Sequence, residues 1–357
     1  MGATAAIVFT ALLIKGTLIG AIVMQRRPHS NSSCGVAGAL GARHERASHC
    51  VRRALSPRAG HTSPMIRLLA LFALLVAASL PASAATPGSV TVVDDVGRKV
   101  TLPRVPLRIV SIAPGATEML FAAGAGSLVI ATVEFADEPA AAKKVPRIGD
   151  SNAVDMERVV ALRPDVVVIW EGGNNVAQIN RLEKLKVPLY RHRLSKLGDI
   201  PMSLRRLGAL AGTQAAAEAA AHDVETRLAT LEKRYGQATA KPTVLLEVWN
   251  RPIYTVGGSQ MMSDSLRLCG ALNVFADLKE QGPSVDTEAV IGRDPQVIVA
   301  VAPPGVSQEW LAEWKRFGTL RAVREGRLVP FEDQRLSRLG PSAVGGTEAL
   351  CEAIHRN

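Results

Sequence analysis

The chain has 357 residues, a formal net charge of +10 at pH 7 and four cysteines. A positive balance of this size would suit a nucleic acid or an anionic membrane. However, residues 1–84 hold nine of the basic residues and a single acidic one, which leaves 33 basic and 31 acidic residues for the rest of the chain. We therefore expect no nucleic-acid partner, and the remaining length suits two domains of ordinary size.

Residues 65–84 have the three parts of a secretory signal peptide. A short basic start at Met65–Arg67 precedes an apolar run and a small-residue end at Ala82–Ala84, so cleavage is expected after Ala84. Residues 1–64 are a doubtful leader. Translation from Met65 would make them a mis-called start, whereas the apolar stretch Ala5–Met24 could alternatively form a membrane helix. The expected compartment of the mature protein is the periplasm.

Residues 85–199 are predicted to form an N-terminal α/β lobe. After a hairpin around Val90–Thr101, strand and helix patterns alternate, as is typical of a parallel sheet covered by helices. The predicted strands are Arg108–Ile112, Leu128–Thr132, Val166–Trp170 and Leu189–Arg191, and the predicted helices are Thr117–Ala123, Asp155–Leu162 and Val176–Leu185.

A long helical pattern then runs from Ile200 to about Tyr235, with Gly212 and Thr213 as a potential interruption. A second α/β series begins at Pro242. The predicted architecture is therefore α/β, with two Rossmann-like lobes (85–199 and 239–357) joined by a long connecting helix (200–238). The predicted elements of the second series are Val244–Trp249, Ser265–Leu268, Val297–Val301, Trp310–Phe317 and Leu328–Phe331.

Two short echoes indicate that the lobes are approximate structural copies. Glu157 and Glu288 each precede a proline by seven residues, and four apolar residues follow shortly after in both cases. Glu118 and Asp264 each precede by six residues a glycine that is predicted to stop a helix. By default, the three glutamates are expected to be solvated charges on helix surfaces.

Motifs for catalysis are missing from the region after residue 84. Its histidines are His192, His222 and His355, whose wide spacing predicts surface or partly packed side chains and no metal site. The sequence also contains no phosphate-binding loop and no nucleophile elbow. We therefore predict a protein that is not an enzyme and has no cofactor. An exported enzyme on a related fold is the alternative from a different class.

Cysteine usage after residue 84 is limited to Cys269 and Cys351, because Cys34 and Cys50 lie in the leader. An even pair in an oxidising compartment predicts a disulfide. The alternative is two buried free thiols.

The ends of predicted strands carry the candidate binding residues. Pro114 and Gly115 lie where a strand runs into a helix, at the sheet edge where open α/β sheets bind ligands. Trp170 and Glu171 follow a second strand, and Trp249 follows a strand of the second lobe. The tryptophans could stack on a flat ligand, although packing between the lobes is an equal alternative for both.

The segments Ser111–Gly126, Glu157–Asp165 and Trp170–Asn174, together with Cys269 and Cys351, make the chain resemble the helical-backbone class of ABC-importer binding proteins. The resemblance extends from about residue 106 to the C-terminus, and the cobalamin-binding branch is nearest. It implies a monomeric binding protein that captures a small molecule between two lobes and delivers it to membrane permease subunits. The implied ligand is a corrinoid, with haem and ferric siderophores as alternatives.

The resemblance also implies individual roles. Glu157 and Glu288 would dock onto arginines of the permease, and Phe135 and Trp170 would contact the ligand. The chain has Ser151 and Gly282 where the family has further aromatic residues. Arginines such as Arg251, Arg335 and Arg338 would suit an anionic siderophore. The implied ligand-contacting loop consists of Gln334, Arg335, Leu336, Ser337 and Arg338.

Overall fold

The computed structural model of the chain describes residues 88–237 and 239–356. The predicted leader and signal peptide, with Cys34 and Cys50, lie outside the described residues. In the part that is described, no helix has both the length and the apolar composition needed to cross a bilayer.

The N-terminal lobe is built on a four-stranded parallel sheet in the order β4-β3-β5-β6. An antiparallel hairpin precedes this sheet. The strands are β1 (Val90–Val93), β2 (Lys99–Leu102), β3 (Ile109–Ser111), β4 (Val129–Ala131), β5 (Val166–Trp170) and β6 (Leu189–His192), and the helices are α1 (Pro114–Ala122), α2 (Met156–Ala161) and α3 (Val176–Lys184). The predicted alternation of strands and helices is confirmed.

The connecting region consists of two helices, α4 (Ile200–Ala211) and α5 (Gln214–Leu231). Gly212 has a φ of 72°, a left-handed conformation that ends α4 and turns the chain back. The two helices pack closely, since a Cβ on Gly208 would lie 2.3 Å from the Cβ of Ala217. The potential interruption at Gly212 is thus confirmed.

Only α5 runs between the lobes. Leu204, on α4, is fully buried in the core of the N-terminal lobe, and Ala221, on α5, packs there too. Further along α5, Leu231 belongs to the core of the second lobe. An 18-residue helix spans about 27 Å, so α5 alone can bridge the two cores.

The C-terminal lobe repeats the plan, with a parallel sheet in the order β9-β7-β11-β12 and a small antiparallel pair, β8 and β10. The strands are β7 (Thr243–Glu247), β8 (Ile253–Tyr254), β9 (Leu272–Asn273), β10 (Ser284–Val285), β11 (Val297–Val301) and β12 (Leu328–Phe331). The helices are α6 (Met261–Leu268), α7 (Thr287–Arg293), α8 (Val306–Trp314), α9 (Arg321–Arg324) and α10 (Ser342–His355).

Each parallel sheet is covered by helices on both faces, and alternate residues of its central strands pack against opposite sides. In β5, Val166 and Val168 pack on the side of α1 and α4, whereas Val167 and Ile169 pack on the side of α2 and α3. In β11, alternate residues divide in the same way between α6 and α10 on one side and α7, α8 and α9 on the other. The lobes therefore share one layered architecture.

The first sequence echo corresponds to a structural repeat. Asp155 and Asp286 each accept a hydrogen bond from the backbone N–H three residues later and so cap α2 and α7. Arg163 and Asp294 follow the two helices with positive φ angles of 45° and 43°. The structure therefore places Glu157 and Glu288 at the same position of matching helices.

The two acids of the second echo, Glu118 and Asp264, form hydrogen bonds between the lobes. Glu118, on α1, accepts hydrogen bonds from the backbone N–H of Ser342 (2.6 Å) and from its hydroxyl (2.9 Å), at the first residue of α10. Asp264, on α6, accepts from the backbone N–H of Leu197 (3.0 Å), which opens the turn leading into α4. Each acid thus lies at the start of a helical segment of the other lobe, where the exposed N–H groups favour negative charge.

The expectation that Glu118 is a solvated charge is therefore wrong. Glu118 is only 6% exposed, because α1 lies between its own sheet and the segment that begins α10. Burial raises the pKa of the Glu118 carboxyl, and the hydrogen bonds from Ser342 oppose that rise.

Candidate ligand-binding cleft

The predicted ligand-contacting loop 334–338 lies near a segment of the other lobe that carries Phe135. The pKa of Arg335 is raised chiefly by its hydrogen bonds to Asp333, and the carboxylate of Glu138 in the N-terminal lobe adds to the rise. Glu138 also contributes to raising the pKa of the Glu118 carboxyl, whereas Arg338 contributes to lowering it. The segment that carries Phe135 and Glu138 therefore lies within electrostatic range of the loop 334–338.

Two aromatic side chains at predicted binding positions are well exposed, one on each lobe. Phe135 is 62% exposed and has a φ of 65°, and Trp249 is 42% exposed just after β7. The ring of Trp249 packs edge-on against Trp310 at 6.1 Å, and its Nε1 donates to the carbonyl of Arg251 at 3.1 Å. Both side chains leave a large apolar surface open to solvent.

Trp170 is less exposed than Phe135 and Trp249. It is half-buried against the core of the N-terminal lobe, and its ring lies on the backbone of Gly173, where a Cβ would come within 2.0 Å. Packing therefore accounts for much of its surface. The neighbouring Glu171 forms an ion pair with the buried Arg191, which also pairs with Glu183 at 2.5 Å, so the carboxylate at this edge already has a cationic partner.

Pro114 and Gly115 are half-buried, and Leu339 of the other lobe approaches Gly115. A Cβ on Gly115 would lie 2.4 Å from the carbonyl oxygen of Leu339. Gly115 therefore permits close approach of the second lobe at this edge of the sheet.

The side chains of the loop 334–338 differ in their surroundings. Leu336 is 1% exposed in the core of the second lobe, so its side chain packs and does not face a ligand. Gln334 and Ser337 are half-buried and linked, since the hydroxyl of Ser337 donates to the carbonyl of Gln334 at 2.9 Å. Arg335 forms an ion pair with Asp333 at 2.6 Å.

The cleft arginines differ in how free they are to meet an anion. Arg251 forms an ion pair with Glu313 at 2.6 Å, and Arg335 is paired as described. Arg338 is half-buried and, among the described residues, has no carboxylate within 4.0 Å of its guanidinium. Arg338 is thus the arginine of this set best placed to meet a ligand anion.

The matched glutamates Glu157 and Glu288 are both exposed, as predicted. Each lines a surface groove. The groove beside Glu157 has a volume of 460 Å³ and lies between α2 and the start of α3. The groove beside Glu288 has a volume of 560 Å³ and is lined by residues that follow β7 and by α8. Both lobes thus present an acid at the rim of a depression.

The sequence interpretation missed three polar groups. His192, predicted to be at the surface or partly packed, is 1% exposed, and its Nδ1 lies 2.8 Å from Asp95. Arg147 binds the segment that carries Phe135. Glu247, at the end of β7, is fully buried. Within residues 88–237 and 239–356, no three His, Cys, Asp or Glu side chains are arranged to hold a metal ion.

Burial raises the pKa of Glu247 from 4.5 to about 7, although Trp314 Nε1 (2.8 Å) and Asn250 (3.2 Å) donate to its carboxyl group. The folded pKa lies above the unfolded one, so folding favours the protonated form. Its contribution to stability is full below pH 4.5 and is lost as the pH rises towards 7. The difference between the folded and unfolded pKa values corresponds to about 3 kcal/mol in the free energy of unfolding.

Glu247→Gln is expected to remove this dependence while keeping an oxygen that accepts from Trp314. Urea denaturation should show the variant to be more stable than the wild type at pH 8, by up to about 3 kcal/mol, and similar at pH 4.5. Glu309→Gln, at an exposed position of α8, is the matched control and should leave the pH profile unchanged. An unchanged profile in Glu247→Gln would contradict the assignment.

Comparison with known proteins adds to this geometry. The profile of the family described as periplasmic binding protein matches residues 109–334. The chain is 30% identical over 245 residues to the vitamin B12-binding protein of Vibrio parahaemolyticus, which covers 69% of this chain and 88% of that protein.

Solved structures are also similar. The periplasmic vitamin B12-binding protein of Vibrio cholerae matches with a TM-score of 0.64 and 27% identity, covering 70% of this chain and 97% of that one. A periplasmic heme-binding protein of Pseudomonas aeruginosa matches with a TM-score of 0.60 and 26% identity, covering 70% and 93%.

Proposed function

Because the chain belongs to the periplasmic binding protein family, we propose that it is an exported monomeric protein that binds a corrinoid in the periplasm and delivers it to an ABC importer. The observation that carries the ligand is the 30% identity to a vitamin B12-binding protein over 88% of that protein's length. In this proposal the chain binds and releases its ligand without chemical change, and the corrinoid is its cargo.

Exposed aromatic surface supports a ligand with a broad flat ring. Phe135 and Trp249 present such surface on different lobes, and aromatic side chains stack well on extended conjugated rings. Arg338 supplies a positive charge for an anionic group of the ligand. We assign ligand contact to these three residues first, with Pro114, Trp170, Glu171, Gln334, Arg335 and Ser337 in supporting positions.

We further propose that Glu157 and Glu288 dock the protein onto cationic residues of the two permease subunits. Their positions on matching helices support this role, because a partner with two related halves needs two equivalent contacts. Exposed ion pairs contribute little affinity, so these contacts act mainly in steering and orientation.

Haem is the second candidate ligand. It is favoured by the likeness to the heme-binding protein of Pseudomonas aeruginosa and by the same exposed aromatic surface. A porphyrin and a corrin are both flat macrocycles, so direct competition between them is needed to separate the two readings.

Titration of the purified protein with cyanocobalamin, cobinamide, haem and a ferric siderophore tests the proposed ligand. We expect quenching of tryptophan fluorescence and a corrinoid Kd in the micromolar range or below, with haem and siderophore binding at least tenfold weaker. Phe135→Ala and Trp249→Ala should each weaken corrinoid binding by about fivefold to tenfold.

Leu107→Ala is the matched control for the aromatic substitutions. Leu107 is 59% exposed, but it precedes β3 and so lies at the opposite edge of the sheet. Its removal should leave the Kd unchanged. Failure of every corrinoid to bind the wild-type protein would overturn the proposed ligand.

A further inference from the structure

Phe135 adopts a backbone conformation that its side chain does not favour. Its φ of 65° lies in the left-handed region, where a bulky non-glycine residue is uncommon. The ring is also 62% exposed, so core burial does not hold it in place. A strained and exposed aromatic residue persists only where the surrounding structure fixes it, and such residues occur preferentially at functional sites.

Arg147 provides that fixation. Its Nη1 donates to the carbonyl of Val133 at 3.1 Å, and its Nη2 donates to the carbonyl of Ala136 at 3.1 Å. Nη2 also contacts the carboxylate of Asp137 at 3.0 Å. One planar guanidinium therefore binds the chain on both sides of Phe135.

The base of the segment is held by other contacts. Thr132 exchanges backbone hydrogen bonds with the strand-like stretch at Pro146 and Ile148 (2.9 Å each), and the N–H of Glu134 donates to the carbonyl of Gly149 at 2.8 Å. These bonds stop at Glu134. Removing the Arg147 guanidinium should therefore loosen the tip at residues 135–137, which would keep only the buried Ala136 as an anchor, and leave the base intact.

We propose that Arg147 is a positioning residue that holds Phe135 in its exposed left-handed conformation, ready to stack on the flat ring of the ligand. The ligand part of this inference rests on the proposed function, because the stacking partner is taken to be a corrin or porphyrin. Preorganisation of this kind raises affinity, since the loop does not have to be ordered when the ligand binds. A lysine could reproduce only part of the two-sided contact, because its ammonium is a single point of attachment.

A double-mutant cycle with cyanocobalamin tests the coupling. Phe135→Ala and Arg147→Gln are each expected to weaken binding by about fivefold to tenfold, with Arg147→Lys intermediate. In the Phe135→Ala background, Arg147→Gln should have less than a twofold effect, because the residue it positions is gone. Full additivity of the two losses, or unchanged affinity in Arg147→Gln, would overturn the proposal.

A measurement without ligand keeps the inference separate from the proposed function. The ¹⁵N relaxation order parameters of the amides of residues 135–137 are expected to be near 0.85 in the wild type and below about 0.6 in Arg147→Gln, with the melting temperature nearly unchanged. Retained order at the tip in Arg147→Gln refutes the positioning role whatever the ligand. Failure of the wild type to bind any macrocycle refutes the proposed ligand alone.

Discussion

Cells that rely on the double variant Glu157→Arg/Glu288→Arg for corrinoid capture are expected to lose uptake of labelled cobalamin. Both side chains are exposed, and each is the second residue of a short helix. Reversal would place a positive charge against the proposed cationic residues of the permease. Two like charges in contact across an interface cost several kcal/mol. Each single reversal should reduce uptake, and the double reversal should abolish it.

Uptake has to be separated from binding and folding. The double variant should bind cyanocobalamin with the Kd of the wild type, because neither glutamate is among the residues that we assign to ligand contact. Glu309→Arg is the matched control, since Glu309 is also an exposed acid in the first turn of a helix. Wild-type uptake by the double variant would show that these glutamates do not dock the protein.

Replacing both Cys269 and Cys351 by alanine is expected to lower the free energy of unfolding by about 4–5 kcal/mol. The structure joins these residues in a disulfide between the end of α6 and α10, which confirms the predicted pairing. The cross-link closes a loop with a sequence separation of 82 and so restricts the unfolded chain strongly. Both residues are fully buried in the core of the second lobe, so lost packing adds to the effect.

Guanidinium denaturation with and without reductant measures this contribution. The wild type in reductant should approach the stability of the double alanine variant, while the variant itself should not respond to reductant. Mass spectrometry after alkylation in denaturant should detect free thiols at Cys269 and Cys351 only after reduction. Equal stability of the wild type in both buffers would contradict the expectation.

The layered fold was accessible from the sequence because it depends on local patterns. Alternating apolar strands and amphipathic helices predict parallel sheets, and Gly212 marked the turn that separates α4 from α5. The echo around Glu157 and Glu288 could be recognised because a cap, a helix and a left-handed residue follow one another within nine residues.

The environment of single polar residues could not be predicted in the same way. Glu118 and His192 are buried by segments far away in sequence, namely the start of α10 and Asp95. Likewise, Gly115 is covered by Leu339 and the guanidinium of Arg147 reaches back more than ten residues. A periodic pattern shows which face of an element is apolar, but it does not show which distant segment covers the polar ends.

A carboxylate on α1 accepts hydrogen bonds from the start of α10, and a carboxylate on α6 accepts one from the turn before α4. These contacts between the lobes limit how the chain can be divided. Each half carries an acceptor that the other half needs, so a fragment ending near residue 238 would leave a helix start in each part without its partner. The lobes look like copies, yet each relies on an acid of the other to complete a helix start. Lobe exchange between relatives would have to preserve both acids together with the helix starts that they complete.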